Sequence, residues 1–419
     1  MHYLLPIVSL TLAICSSAHA SEIAQWRGPE RSGVYAETNL LEKWPEDGPP
    51  LLWSAQVTGG GYASVTVSDG VTYATGKQDS VEFLTAIDAD GHILWQKPYG
   101  HSSYQTGYQD ARCTPTVEDG VVYAISGRGE IVAVNAETGA EIWSLDAFQK
   151  FSGAHGSWEV AESPLIVDDK LIYTPAGTQT TMVALDKKTG ATIWTSDSLN
   201  DTSAYVSPIL IERGGKKIIA TVSARYFFGV DAHDGTILWQ YDYSRLESPD
   251  HPRAPFINCA SPVYRDGRVF ITSGYDHTGA MFALSEDGTA ISLVWTQPVL
   301  DTHHGGLVLI DGYLYGSNWI NNRSGDWVCL DWQSGEVIYE EKWISKGSII
   351  AADGWLYCYE ERRGTLALVK ATPEGFAITS SFTVDLGSGQ HWAHPVIVDG
   401  LLYLRRGDVV MAYDISGKS

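Results

Sequence analysis

Ala133-Val-Asn-Ala-Glu-Thr-Gly-Ala-Glu-Ile-Trp143 is not a unique stretch of this chain. Ala184-Leu-Asp-Lys-Lys-Thr-Gly-Ala-Thr-Ile-Trp194 matches it almost residue for residue, and Gly229 to Trp239 and Ala86 to Trp95 match it closely. Weaker copies run from Ala283 to Trp295, from Cys329 to Tyr339 and from Leu368 to Thr379, and a truncated one begins at Ala412. Recurrence at this spacing marks a repeat architecture. Within each copy, small or apolar residues such as Ile131-Val-Ala-Val suit a strand. Asn135, Asp186 or Asp231 can then start a turn by bonding backbone two residues on. The following glycine (Gly139, Gly190, Gly235) supplies the positive φ of a hairpin. The chain returns as a strand ending in Trp95, Trp143, Trp194, Trp239 or Trp295. One tryptophan per hairpin is expected to pack between neighbouring sheets.

Working outward, each hairpin is preceded by another. The first unit reads Ala63 to Val67, Ser68-Asp-Gly70 and Val71 to Ala74, then the Ala86 hairpin; the second carries Pro115-Thr-Val, Glu118-Asp-Gly120 and Val121-Val-Tyr-Ala. Later units repeat this at Ser163-Pro164, Ser207-Pro208, Ser261-Pro262, Asp311-Gly312, Asp353-Gly354 and Asp399-Gly400. The eighth unit has about three strands, and Leu51 to Val57, at the other end, reads as its missing fourth. The expected fold is all-β: an eight-bladed β-propeller of four-stranded antiparallel blades over residues 51–416, closed by the N-terminal strand. No segment has sustained helical periodicity.

Residues 1–20 read as a secretory signal, with an apolar Tyr3 to Ile14 and Ala18-His-Ala20 before the cleavage point. Export to the periplasm or the medium is expected. Residues 21–50 form a Gly/Pro-rich lead containing Trp26-Arg-Gly-Pro29 and Trp44-Pro-Glu-Asp-Gly-Pro-Pro50, which two tryptophans should hold against the body. No later run is apolar enough to span a membrane. The formal charge of −22 argues against nucleic acid and anionic membranes as partners. Cys113, Cys259, Cys329 and Cys358 form no CxxC; buried free thiols are expected, with Cys329 and Cys358 the pair to test for a disulfide.

The Ala-x-Asp-x-x-Thr-Gly-x-x-x-Trp hairpin, complete at Ala184 to Trp194, resembles the repeat of the pyrroloquinoline quinone (PQQ) dehydrogenase-like propellers. The likeness runs over about residues 51 to 416. It points two ways: to quinoprotein alcohol dehydrogenases, which bind PQQ and calcium on the axis, and to BamB, an outer-membrane assembly propeller without a cofactor. The repeat builds blades, so function has to be sought at the channel mouth. The segments leading into the innermost strands carry Gln109-Asp-Ala-Arg112, Ser157-Trp-Glu-Val-Ala-Glu162, Asn258-Cys259, Asp301-Thr-His-His304, Lys346 and Gln390-His-Trp-Ala-His394.

A quinone site needs oxygen ligands for Ca²⁺, a cation, a flat aromatic and a carboxylate base. The resemblance implies Glu162 and Asn258 as metal ligands, Asp301 as catalytic base, Trp158 or Trp392 as the stacking ring and Arg112 beside a quinone carbonyl, for oxidation of an alcohol or sugar hydroxyl. The vicinal cysteines typical of those dehydrogenases are absent. His303, His304, His391 and His394 allow a transition-metal reading instead, or a hydrogen-bonded lining around a wet channel. Rim loops bearing Trp319, Tyr104, Tyr108 and Phe151 could present a protein-partner or saccharide surface. The expected partners are therefore a small molecule at the channel mouth or a protein on the rim, as in a non-catalytic BamB-like scaffold.

Overall fold

The computed structural model describes residues 23–103, 107–246 and 256–417; the signal read at 1–20 and Tyr104 lie outside them. In blade 2, Thr116–Glu118, Val121–Ile125, Glu130–Asn135 and Glu141–Asp146 pair antiparallel in chain order. Asn135 makes its hairpin by accepting from the backbone N–H and the hydroxyl of Thr138, both at 2.9 Å, with Gly139 at φ +66°. Asp186 and Thr189 repeat the arrangement at 2.8 Å. Eight such sheets occur among the described residues. The closing one joins Leu51–Gln56 to Val409–Asp414, Leu401–Arg406 and Val396–Val398, so the first full-length strand completes the last blade.

The tryptophans fasten neighbouring blades. Trp143 Nε1 donates to the Lys187 carbonyl in the next blade's turn at 3.0 Å, and its ring covers Gly190 so closely that a Cβ there would sit 2.7 Å from it. Trp95 treats Ala136 and Gly139 alike, as Trp194 does Ala232 and Gly235. Trp239 departs from the pattern because the next turn is Ser285-Glu-Asp-Gly288. There Arg213 donates to the Ser285 carbonyl at 2.6 Å, and the Trp239 indole N–H, like that of Trp53, has no partner among the described residues.

All eight outer strands share one irregularity. Pairing skips a single residue just before the repeat's aromatic position: Leu52, Leu94, Ile142, Ile193, Leu238, Val294, Ile338 and Thr379. These are β-bulges, which raise local twist.

The Gly/Pro lead is laid across the ring. Val34–Tyr35 adds to blade 7 as a strand parallel to Ala351–Ala352, Ala24 bridges Val117 of blade 2, and Trp44 is buried against Tyr357 and Phe382. One five-residue helix, Ala147–Phe151, interrupts the β-structure; Asp146 caps it by accepting from Gln149 N. Among the described residues no helix is long and apolar enough to cross a membrane. Among the described residues Cys113, Cys259, Cys329 and Cys358 are free thiols; Cys329 and Cys358 are buried together in the core between blades 6 and 7 without bridging.

Candidate functional site

The eight innermost strands start at the axis, so the residues leading into them converge on one cavity of about 300 Å³. Its wall takes Tyr62 from blade 1, Arg112 from blade 2, Trp158 from blade 3, Tyr205 from blade 4, Tyr275 from blade 5, His303 and His304 from blade 6, Lys346 and Glu361 from blade 7, and Trp392 from blade 8. Aromatic rings dominate. The Trp392 ring lies 4.9 Å from those of Tyr62 and Tyr108 and 5.0 Å from His304. Tyr205 accepts from the Trp158 backbone N–H at 3.0 Å, and Tyr275 hydroxyl bonds His303 Nε2 at 2.8 Å. The Arg112 guanidinium sits 5.8 Å from the Tyr62 centroid and donates to the Tyr108 carbonyl; no carboxylate among the described residues is ion-paired with it.

The blade 6–7 wall holds the buried charge. Lys346 donates to Glu361 Oε1, and both side chains are almost wholly removed from solvent. Burial raises the Glu361 pKa, with Lys346 pulling the other way. Burial and then the Lys346 charge push His304 down to about 3, leaving a neutral imidazole at pH 7. His394 is neutral too, lowered well below its ordinary value by burial and then by Arg27. Its tautomer follows from its partners: Arg27 can only donate, so Nδ1 accepts at 2.8 Å and Nε2–H donates to the His304 carbonyl at 2.8 Å.

Arg27 belongs to the lead, which sequence reasoning placed against the body without a role. The lead crosses the channel beneath the cavity, with Trp26 in the cavity lining. Arg27 donates to the carbonyls of Leu307 and, at 3.0 Å, Ile349; Arg31 reaches Ser163 and Pro208 at 3.1 Å and also Pro164. On the far side of the lead lies a second chamber of about 1480 Å³, bounded by the lead and by turns such as Asp69-Gly70 and Asp119-Gly120. Two arginines in a Gly/Pro segment of so acidic a chain were the available signal.

Arg112, Trp158 and Trp392 thus share the cavity, whereas Glu162, Asn258 and Asp301 do not line it. All three are buried in the blades. Glu162 Oε1 accepts from Thr174 N at 3.2 Å; Asn258 Nδ2 donates to the Ser223 carbonyl at 2.6 Å; Asp301 accepts from Asp276 N at 2.9 Å and Trp319 N at 3.0 Å. Each ties down backbone where a second strand ends, and burial pushes Asp301 up to about 7 and Glu162 up to about 8. Calcium takes 6–8 oxygens, several of them carboxylate. Glu361 is the one carboxylate among the described lining residues, and Lys346 already holds it, so the donor set does not fit the calcium of a quinone site.

The histidines do not gather as ligands either: His391 bonds the Tyr359 hydroxyl at 2.6 Å, and both His394 nitrogens are occupied. The one three-ligand cluster among the described residues, Asp88, Asp90 and His92, is a turn on the outside of blade 1.

A family model described as outer membrane protein assembly factor BamB matches residues 80–341. BamB of Alkalilimnicola ehrlichii is 30% identical over 215 residues, 50% of this chain and 48% of that protein. Methanol dehydrogenase [cytochrome c] subunit 1 of Methylobacterium organophilum is 27% identical over 164 residues, 35% of this chain and 25% of that one. The matches therefore span half or less of these relatives. Quinohemoprotein alcohol dehydrogenase from Comamonas testosteroni shares the fold, with a TM-score of 0.67 at 14% identity over 96% of this chain and 81% of its own.

Proposed function

The chain belongs to the PQQ-like propeller family of the outer membrane protein assembly factor BamB, and from that footing we propose that it is an exported binding scaffold, working in outer-membrane protein assembly through a protein partner on its rim loops. One observation carries this over the enzymatic reading: the carboxylates of Glu162 and Asp301, which quinone chemistry would require at the axis, are engaged with backbone N–H groups inside the blades. The rim on the cavity side also offers apolar surface, at Tyr108, Phe256 and Ile320. Each stands on the loop of a different blade, open to a partner that spans the rim. The residues read as a secretory signal support export.

A photo-crosslinker at Ile320 is expected to capture a component of the outer-membrane assembly apparatus. Saturable, Ca²⁺-dependent quenching of tryptophan fluorescence by PQQ, lost in Glu162→Ala, would refute the scaffold reading. A second reading, PQQ-dependent alcohol oxidation, has one observation on its side: Arg112, Trp158 and Trp392 all line the cavity. The oxygen set for calcium does not accompany them, and no step is assigned to Asp301.

A further inference from the structure

The innermost strand of each blade turns into the second through two residues, and in blade 5 both of these, Asp266 and Gly267, have positive φ, at +51° and +79°. The pair flanking such a turn, Arg265 and Arg268, exchanges hydrogen bonds, and along an antiparallel ladder bonded and unbonded pairs alternate. Tyr264, one step inward, therefore turns its N–H and C=O away from Val269 and towards the axis. The lead shows what such groups receive. At the same position of blade 2, Ala24 N donates to the Val117 carbonyl at 3.0 Å and Val117 N to the Ala24 carbonyl at 2.8 Å. At that of blade 7, Ala351 N donates to the Gly33 carbonyl at 2.8 Å, beside the parallel pairing of Val34 with Ala351.

The lead covers Val117 and Ala351, and neither lines the second chamber; their counterparts Val67, Ile166, Glu212, Tyr264, Leu309 and Ile397 all do. Among the described residues no backbone hydrogen bond reaches these six from outside their own sheets. Glu212, Tyr264 and Leu309, on the adjacent blades 4, 5 and 6, are the three that are not buried. An open strand edge is a template for another strand. The chamber's charge narrows the choice of that strand. Its charged lining residues that are not buried are Glu30, Glu37, Asp69, Asp119, Glu212 and Asp399, against Arg265 among the described residues. The segment already laid across this channel brings in two arginines, Arg27 and Arg31. A polyamine would match the charge and leave the edge unanswered, because only a polypeptide backbone offers donors and acceptors in the alternation that a strand presents.

We propose that the second chamber receives an extended, lysine- or arginine-rich segment of a partner protein, which joins blade 5 as a fifth strand at Tyr264, as the lead joins blade 7. Backbone bonding at the edge supplies the affinity and the acidic surround supplies the preference for positive charge. The chamber lies across the lead from the axial cavity, so this site is separate from the rim contact at Tyr108 and Ile320 and does not depend on it.

The test titrates the full chain, by calorimetry, with a capped octapeptide alternating lysine and valine, with its glutamate counterpart, and with a lysine peptide N-methylated at alternate residues. The lysine peptide should saturate with a Kd of about 100 μM or tighter, and the other two should bind about tenfold or more weakly. Proline is tolerated on an edge strand where its missing N–H faces outward, so Tyr264→Pro removes the donor within an intact blade. That variant should weaken the lysine peptide about tenfold, while Tyr264→Ala, which keeps the N–H, should stay within about threefold of the native chain. Glu212→Lys should weaken it about threefold or more. If Tyr264→Pro does not fold, the N-methylated peptide carries the same comparison. The proposal fails if the lysine peptide does not saturate by about 1 mM, if the glutamate peptide binds equally, or if neither N-methylation nor Tyr264→Pro weakens binding. A dimer seen by sedimentation without peptide, and lost in Tyr264→Pro, would give the edge to a second copy of this chain and overturn it as well.

Discussion

Gly120 and Gly139 belong to the same blade and have nearly the same backbone, at φ +72° and +66°. A Cβ on Gly120 would meet nothing within 4 Å, whereas one on Gly139 would lie 2.7 Å from the Trp95 ring. Placing an L-residue in the left-handed region costs about 1–2 kcal/mol, and this falls on both alanine variants. Only Gly139→Ala must also displace the Trp95 indole, an overpacking cost of about 1–3 kcal/mol. Gly139→Ala should therefore lose about 1–3 kcal/mol more than Gly120→Ala in urea unfolding followed by far-UV circular dichroism. In a Trp95→Ala background most of the gap should close, because the ring is gone and the remaining close neighbour, Lys97 Cγ at 2.9 Å, belongs to a flexible side chain. Equal losses in the native background, or a gap that persists without Trp95, would refute the view that glycine and tryptophan form the joint between blades.

Trp143→Phe removes one of two donors to the Lys187 carbonyl, the Tyr123 hydroxyl remaining, while Trp239→Phe removes an N–H with no partner among the described residues; the first should cost about 0.5–1.5 kcal/mol more in the same assay. Arg27→Ala takes away a guanidinium bonded to Leu307 and Ile349 carbonyls and to His394, and should destabilise by about 3 kcal/mol or more. A midpoint shift no larger than that of an exposed arginine variant would deny the lead its bracing role. Burial, opposed by Thr174 and Arg31, raises Glu162 from 4.5 to about 8, so it keeps its proton in the fold at pH values where the unfolded chain has lost it. That contribution to stability is complete below the unfolded value and is lost as pH rises through about 8, at up to about 1.4 kcal/mol per unit. Urea midpoints should fall between about pH 5 and pH 8, and Glu162→Gln should flatten the fall; an unchanged slope in that variant would assign it to another group.

The ring was readable because its determinants are local. A turn such as Asp186-Lys-Lys-Thr-Gly190 folds on its own hydrogen bonds, and eight copies plus one spare strand leave a single way to close. The cavity rim was readable too, since the position at which a chain enters an inner strand follows from the repeat: Arg112, Trp158, Lys346 and Trp392 all lie there. Side-chain direction was not. Glu162, Asn258 and Asp301 stand at the right places in the chain order for a quinone site, but nearby strand ends present backbone groups that capture them. Glu361 escaped notice because it follows a second strand, away from the segments leading inward. Arg27 was silent for a different reason. Its partners are carbonyls such as that of Ile349, 322 positions away, and a carbonyl has no signature in a sequence.

The skipped residue in every outer strand bears on what the blade edges offer to another strand. A propeller turns eight strand edges outward, and here several carry uncovered aliphatic side chains, among them Leu52, Leu94, Ile142 and Val294. A regular edge with such side chains would be a template for cross-β stacking with another molecule. Each of those four is the skipped residue itself, so the two-residue alternation an incoming strand would have to match breaks where the surface is stickiest. Resistance to edge pairing is thus built into the repeat beside the position that, in most blades, holds its tryptophan, and restoring alternation by deleting Ile142 should convert that blade's edge into a site of self-association.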